Sequence, residues 1–526
     1  MLFISKAITA LILSALASSA SAQTPPAAEQ STAFNSTFAL TPDQIAAANL
    51  SAAEAASLNN AIRFDRSQLA NGGPREDAFY TLPPLTNTSG PLAPGTLLKA
   101  QPFTDPTPFA IPPNTALSRI LYTTRTYNGT VVPASAFVLW PFTPRKIAGP
   151  GEGRNHHGLR HEQKRIYNTT GNPAGAPVVL WMHGTSGFFA SAAPSSHRAL
   201  WYGDAAPFAL ALAGFAVVAP DYAGLGISTT WCGSGEGGDS GAKIPHQYLM
   251  SRVSARDGLY ALRAAHAAFA EKLDERFVAM GHSQGGGVAW GVAEVLAEAD
   301  GQTEFTDLAA GYRGTVAGSP TTQVFAGWPS LIAPFVSQGL ASVFPSFRLA
   351  DWFTPAGLAR VALFREIEGG IAAAQQLFLG EGFARGLREG WNATWYVEAY
   401  SRLANAGRRP FRGPMLVVQG TEDVYVPYNV TDATVAATCA AYPDSGLEFL
   451  VVNGTGHVPT LDATRRIWLD WIQDRLEGRP AATDGTGCKR TELGSFLPVG
   501  QYLKVGNAFA QWAGAPEYSY QVPLGV

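Results

Sequence analysis

Phe277-Val278-Ala279-Met280-Gly281-His282-Ser283-Gln284-Gly285-Gly286 is the stretch that decides the fold. Residues 276–280 read as a buried strand, and the pattern over 285–299 reads as a helix. The G-x-S-x-G between them sits where a sharp strand-to-helix turn is needed, and its two glycines leave room for that turn. Such a turn strains the serine backbone and lifts its hydroxyl above a sheet. The helix N-terminus beneath it favours negative charge that develops during a reaction. A glycine-rich turn with an incidental serine is the bland alternative. The flanking strand and helix argue against it.

Outward from this turn, short apolar runs alternate with helical patterns. Upstream, strands are expected over 119–125 and 135–142, joined by a turn at Asn128-Gly129. A buried strand follows over 178–182, then a helix over 207–214 and a strand over 215–220. A long helix from about residue 246 would place Leu259, Leu262, Ala265, Phe269 and Leu273 on one face. Downstream come strands over 312–317, 415–419 and 447–452, with helices over 431–441 and 461–476. This βαβα alternation predicts an α/β fold, doubly wound around a mostly parallel sheet. Residues 321–412 break the alternation with a helical stretch rich in Phe, Leu and Gly, which reads as an inserted cap. Its aromatics are Phe325, Trp328, Phe335, Phe344, Phe347, Trp352, Phe353, Phe364, Phe378 and Phe383. Most should pack the cap onto the sheet, with the inner face forming part of a pocket. The expected organisation is 1–22 leader, 23–115 extension wrapping the core, 116–320 first core part, 321–412 cap, 413–488 second core part and 489–526 tail.

Composition narrows the function. The 526 residues are 46% hydrophobic and only 15% charged, and Lys+Arg (37) nearly balance Asp+Glu (40) for a net −3. No basic stripe appears, so a nucleic-acid partner held by phosphate neutralisation is not expected. Fifty-five Gly and 37 Pro without a period fit a loop-rich globular protein, and three Cys without zinc spacing fit neither a disulfide scaffold nor a zinc domain. His156, His157 and His161 sit in a polar insertion over 145–171; no carboxylate or helical spacing joins them as ligands, and a solvated loop is the preferred reading. The N-terminus reads as a signal peptide: Lys6, an apolar run from Ala7 to Ala17, and Ala20-Ser21-Ala22 before a cut at Gln23. That run is too short to span a bilayer. Eight of sixteen asparagines (Asn35, Asn49, Asn87, Asn128, Asn168, Asn392, Asn429 and Asn453) start N-x-S/T sequons. This excess favours a eukaryotic secretory route.

A serine hydroxyl becomes a useful nucleophile only when an imidazole takes its proton. Of nine His, His457 alone lies in a short loop after a late strand, in Asn453-Gly454-Thr455-Gly456-His457. A carboxylate must orient that ring. Asp423, in Gly420-Thr421-Glu422-Asp423 just after the strand over 415–419, is the first choice, with Glu422 and Asp432 as alternatives. The order Ser283, Asp423, His457 is that of the α/β-hydrolase triad, and it differs from two unrelated triad orders. Two backbone N–H groups must receive the oxyanion. Gln284 should supply one, and Thr185, in preference to Gly184, the other, from His183-Gly184-Thr185-Ser186-Gly187. Asp221 and Tyr222 read as structural turn residues.

With these residues placed, the chain resembles the fungal secretory lipase family, the Candida antarctica lipase A-like lipases with trichothecene esterase-like proteins among them. The likeness runs from about Pro94 to Cys488. It rests on Pro94-Gly95-Thr96-Leu97-Leu98, Tyr122-Thr123-Thr124-Arg125, Val138-Leu139-Trp140-Pro141, the Gly281–Gly286 turn, Asp423-Val424-Tyr425-Val426-Pro427-Tyr428, Cys439, His457 and Cys488. Residues 23–90 and 145–171 have no counterpart. The resemblance implies secreted carboxylic-ester hydrolysis under a helical cap, with Ser283 as nucleophile, Asp423 as acid and His457 as base. It also implies a Cys439–Cys488 disulfide, which a secretory route permits.

The expected protein is therefore a secreted α/β-hydrolase that cleaves a small-molecule or lipid ester through an acyl-enzyme on Ser283. It is expected to need no metal or organic cofactor and to have no stable membrane span. Alternatives on the same fold are an esterase or acyltransferase acting on a secondary-metabolite ester, a peptidase, and a catalytically silent binding protein.

Overall fold

Val178-Val179-Leu180-Trp181-Met182 and its neighbouring runs are apolar without alternation, as strands covered on both faces must be. In the computed structural model they form the middle of a ten-stranded sheet. The structure describes residues 37–84, 92–147, 175–231, 241–327, 329–379, 383, 385–482 and 487–502. The strands are β1 (Leu97–Gln101), β2 (Thr115–Arg125), β3 (Val131–Pro141), β4 (Ala176–Met182), β5 (Ala216–Pro220), β6 (Leu273–His282), β7 (Tyr312–Gly318), β8 (Met415–Gly420), β9 (Leu447–Val452) and β10 (Lys489–Leu493). Their order is β1-β2-β3-β5-β4-β6-β7-β8-β9-β10. The pairings from β1 to β5 are antiparallel, and every pairing from β5 to β10 is parallel. The chain order reverses at β4, which lies between β5 and β6. Ligands of open α/β sheets bind in the crevice at such a switch point.

Helices α1 (Pro42–Ala47) and α2 (Ala52–Ser67) come first, followed by α3 (Pro207–Leu212), α4 (Ser251–Ala268) and α5 (Gln284–Val295). Alternate residues of the central strands serve the two layers. Val178, Leu180, Ala279 and Ala317 pack under α4 and α5. Val179, Trp181, Val278, Met280 and Val316 face the opposite layer, which includes the inserted helices. Those are α6 (Pro329–Val343), α7 (Pro355–Glu366), α8 (Ile371–Phe378) and α9 (Trp395–Ala404). Finally, α10 (Tyr428–Ala441) and α11 (Arg465–Leu476) flank the second part of the sheet.

The cap aromatics pack against one another within the same cluster that covers this face of the sheet. Trp352 meets Phe347 and Trp391 with ring centroids 5.0 and 5.2 Å apart, and Phe378 meets Phe364 and Phe383 at 5.3 and 5.0 Å. Helix α2 opens with a Ser51/Glu54 capping box and reaches the cap through an Arg360–Glu54 ion pair of 2.6 Å. Cys439, near the end of α10, is bonded to Cys488, just before β10, with Cα atoms 5.8 Å apart.

Several expected boundaries need correction. The helix expected from residue 246 starts at Ser251, and Leu273 opens β6 instead of closing the helix face. The helix expected over 461–476 is two pieces, Pro459–Ala463 and Arg465–Leu476. Strands β1 and β10 extend the sheet beyond the bounds expected for the core. Both are half-exposed or exposed edges, and Lys489–Leu493 has none of the apolar alternation that marks a strand in sequence. The leader expected at 1–22, Asn35, Asn87, Asn168, Trp328, Cys232 and His156, His157 and His161 lie outside the described residues. Among the described residues no helix is long and apolar enough to cross a membrane.

Candidate active site

Strand β6 delivers Ser283 to the switch point in a conformation few non-glycine residues adopt, φ 61° and ψ −122°. Such a residue costs about 1–3 kcal/mol and persists only where its surroundings fix it. Here the Ser283 N–H donates to Gly318 O at 2.9 Å, and Ser283 O accepts from Gly287 N at 3.1 Å and Thr321 N at 3.2 Å. A Cβ on Gly281 would lie 2.1 Å from Gly285 O, and one on Gly285 only 1.9 Å from Met182 O. The two motif glycines are thus needed for close backbone packing. Helix α5 starts at Gln284, so its first-turn N–H groups have no partner within the helix.

His457 lies in the loop after β9. Its Nδ1–H donates to Asp423 Oδ2 at 2.7 Å, and both side chains are buried. Asp423 Oδ1 accepts from the backbone N–H groups of Tyr425 (3.0 Å) and Val426 (2.9 Å), and Oδ2 also accepts from Gln419 Nε2 at 3.0 Å. Burial works against the carboxylate charge. The adjacent His457 and these donors outweigh burial and hold the Asp423 carboxyl below the usual carboxylate range. The structure places Asp423 against His457, not Glu422, which is exposed, nor Asp432, which pairs with Arg490.

Ser283 and His457 line one cavity with about 960 Å³ of empty space, part of it open to solvent. Thr185 also lines it, whereas Gly184 is packed so tightly that a Cβ there would lie 2.2 Å from Tyr202 Oη. The remaining wall is largely apolar and includes Val324, Leu331, Ile332, Phe335, Ile371 and Val430. Of the cap aromatics singled out from sequence, Phe335 alone among the described residues lines the cavity; the cap's other apolar contributions there are aliphatic, among them Val324, Leu331, Ile332 and Ile371.

Three further residues shape the site and were not legible as such. Tyr202 Oη–H donates to His282 Nδ1 at 2.7 Å, because His282 Nε2–H is committed to His457 O at 3.0 Å. The variable residue inside the G-x-S-x-G motif therefore ties the base loop to the elbow. Burial, first, and the neighbouring His457 push the His282 imidazole well below its usual pKa, so it stays neutral. Tyr202 ends a run of three non-glycine residues with positive φ, Leu200, Trp201 and Tyr202, and no sequence signal announces such a turn. Gln419 bridges Asp423 and Thr431, whose hydroxyl donates to Gln419 Oε1 at 3.0 Å. Its one sequence signal is a polar side chain in an otherwise apolar strand.

The model of the alpha/beta hydrolase family matches residues 178–468. No curated protein matches the chain. Among solved structures the fold is similar to Candida antarctica lipase A in its closed state, with a TM-score of 0.56 at 13% identity over 85% of this chain and 95% of that one. It is also similar to the rice cell wall degrading esterase LipA from Xanthomonas oryzae in a ligand-bound form, with a TM-score of 0.52 at 18% identity over 72% of this chain and 100% of that one. The first likeness agrees in fold with the resemblance read from the motifs. Since the family model spans more than half of the sequence, from β4 through the elbow and the cap into α11, the chain belongs to the alpha/beta hydrolase family.

Proposed function

We propose that this protein is a serine carboxylic-ester hydrolase that works through an acyl-enzyme on Ser283. The observation that carries the reading is the Asp423–His457 hydrogen bond of 2.7 Å, made beside the cavity that a serine on a strained elbow also lines. Ser283 Oγ attacks the ester carbonyl while its proton passes to His457 Nε2. Asp423 keeps the ring in the tautomer with Nδ1–H and stabilises the imidazolium. The carbonyl oxygen becomes an oxyanion that receives the N–H groups of Gln284 and Thr185. Collapse releases the alcohol, which takes the proton from His457. Water, activated by the same imidazole, then attacks the acyl-serine and frees the acid.

The apolar wall suits an ester with a hydrophobic acyl chain, and both similar structures are named as a lipase or an esterase. Secretion is part of the proposal. Asn49, Asn128, Asn392, Asn429 and Asn453, the sequon asparagines among the described residues, are all exposed, as glycan carriers must be. The disulfide fits the same compartment. Turnover of p-nitrophenyl esters by the wild type and by Ser283→Ala tests the reading. A loss of about 10⁴-fold or more in kcat with the fold intact is expected. Residual activity within tenfold of wild type places the chemistry elsewhere.

A further inference from the structure

Both proposed oxyanion donors are held by one short segment, His246-Gln247-Tyr248, which reads in sequence as the start of a helix and instead forms the approach to α4. His246 is buried. Its Nδ1 lies 3.1 Å from Ala223 O, a group that can only accept, so the proton sits on Nδ1 and Nε2 is the acceptor. That acceptor receives Gln284 Nε2–H at 3.1 Å. Tyr222 stacks parallel to the His246 ring at 5.9 Å and also packs against His183 at 4.2 Å. Two residues on, Tyr248 Oη shares a 2.8 Å hydrogen bond with Thr185 Oγ1.

The segment is anchored in turn by the cap. Gln247 Nε2 donates to Ser342 Oγ of α6 at 3.1 Å, and Tyr400 Oη of α9 donates to Tyr248 O at 2.5 Å. Gly339 of α6 comes so close that a Cβ there would lie 2.3 Å from His246 O. Gln247 Oε1 accepts from Tyr127 N at 2.7 Å, on the turn between β2 and β3.

We propose that His246 and Tyr248 are positioning residues for the oxyanion hole, a two-pronged brace in which His246 holds Gln284 and Tyr248 holds Thr185. The proposal rests on the ester-hydrolase reading above. Gln284 opens α5 after β6 and Thr185 lies in the loop after β4; the two strands pair as far as Met182 and Gly281, and beyond that pairing the two side chains belong to different elements. The brace adds a tie beyond the sheet by joining both side chains to three consecutive residues. Tyr248 also lines the cavity, but neither prong carries the nucleophile, the base or an oxyanion N–H of the proposed reaction. Their effect is therefore on how well two N–H groups meet the oxyanion, a feature of the transition state and not of the bound ester.

The test compares His246→Leu, His246→Gln and Tyr248→Phe with wild type. It uses steady-state hydrolysis of p-nitrophenyl butyrate, inhibition by an aliphatic trifluoromethyl ketone that forms a hemiketal oxyanion on serine, and thermal unfolding. His246→Leu and Tyr248→Phe should lower kcat by about 10- to 100-fold, less than the loss of a whole oxyanion donor. KM should stay within about threefold, and ketone affinity should fall in parallel with kcat. His246→Gln, which returns an acceptor near the position of Nε2, should recover most of what the Leu variant loses. Wild-type kcat in both Leu and Phe variants overturns the brace while leaving the hydrolase reading standing. A loss shared by kcat and KM, with unchanged ketone affinity or without recovery in the Gln variant, overturns it as well, because it marks plain loss of structure. A wild-type protein without ester turnover overturns the underlying reading itself.

Discussion

Asp423→Asn removes one charge and one hydrogen-bond acceptor from a side chain whose surroundings leave the replacement little freedom. Oδ1 is held by the N–H groups of Tyr425 and Val426, so the amide oxygen of the introduced asparagine must take that place and its NH₂ must face His457 and Gln419. An N–H then points at His457 Nδ1, and the ring can answer only by moving its proton to Nε2. In that tautomer it cannot take the Ser283 proton. The amide also meets the NH₂ of Gln419, which cannot turn over without losing the Thr431 hydroxyl on its Oε1. Loss of the ion pair and the wrong tautomer together should lower kcat on the order of 10⁴-fold, or about 5 kcal/mol of transition-state stabilisation at 1.36 kcal/mol per decade. KM should change little, since nothing in the substrate cavity moves. The assay is p-nitrophenyl butyrate hydrolysis across pH 6–9, with circular dichroism to show that the fold is kept. A folded variant within tenfold of wild type, or a Glu422→Gln variant more damaged than Asp423→Asn, refutes the reasoning.

Three more outcomes are expected. Ile332→Trp or Ile371→Trp, which add bulk to the cavity wall, should lower kcat/KM for a decanoate relative to a butyrate ester by about 10- to 200-fold, whereas Phe325→Leu, at a side chain packed on Trp352 away from the cavity, should move both alike; the reverse pattern places the acyl pocket elsewhere. Glu294 on α5 is buried with one oxygen on Gly407 N at 2.6 Å, and burial raises its carboxyl from 4.5 to about 8. The folded state therefore keeps a proton that the unfolded chain releases, so this group's stabilising effect is full below about pH 4.5 and is lost as pH rises through 8. Glu294→Gln should flatten the decline of Tm between pH 5 and 8, and an unchanged slope contradicts the assignment. Cys439→Ser should cost about 4 kcal/mol on loop-entropy arithmetic for the separation of 49 residues, read by urea unfolding; a cost near zero means the bridge is not formed in the purified protein.

The centre of the fold was legible because it obeys simple periodicities. Short β-branched-rich apolar runs such as 178–182, between turn signals, read as buried strands, and the glycines at 281 and 285 occur where a side chain would strike backbone oxygen. The positions of Asp423 and His457 were legible from chain order, because each had to follow a strand and only a few polar residues do so. The edges were not. Strand β10 pairs through its backbone while its side chains remain exposed and charged, so hydrophobic patterning carries no trace of it. The cap aromatics were legible as packing residues but not as to where they point: most of the described ones pack against other aromatics, and Phe335 alone of them joins Leu331, Ile332 and Ile371 at the cavity. The Tyr202–His282–His457 chain and the His246–Tyr248 brace bring together residues dozens to hundreds of positions apart, and no local spacing records that.

The most direct test of the central claim is covalent. A fluorophosphonate needs the nucleophile, the activated imidazole and the oxyanion donors together, so it reports the whole site at once. Incubation of the wild-type protein with such a probe, followed by intact-mass analysis and peptide mapping, should show one adduct per chain, on Ser283, with ester turnover falling in step. Turnover that continues while Ser283 carries the adduct, or an adduct on another serine that abolishes it, would contradict the account.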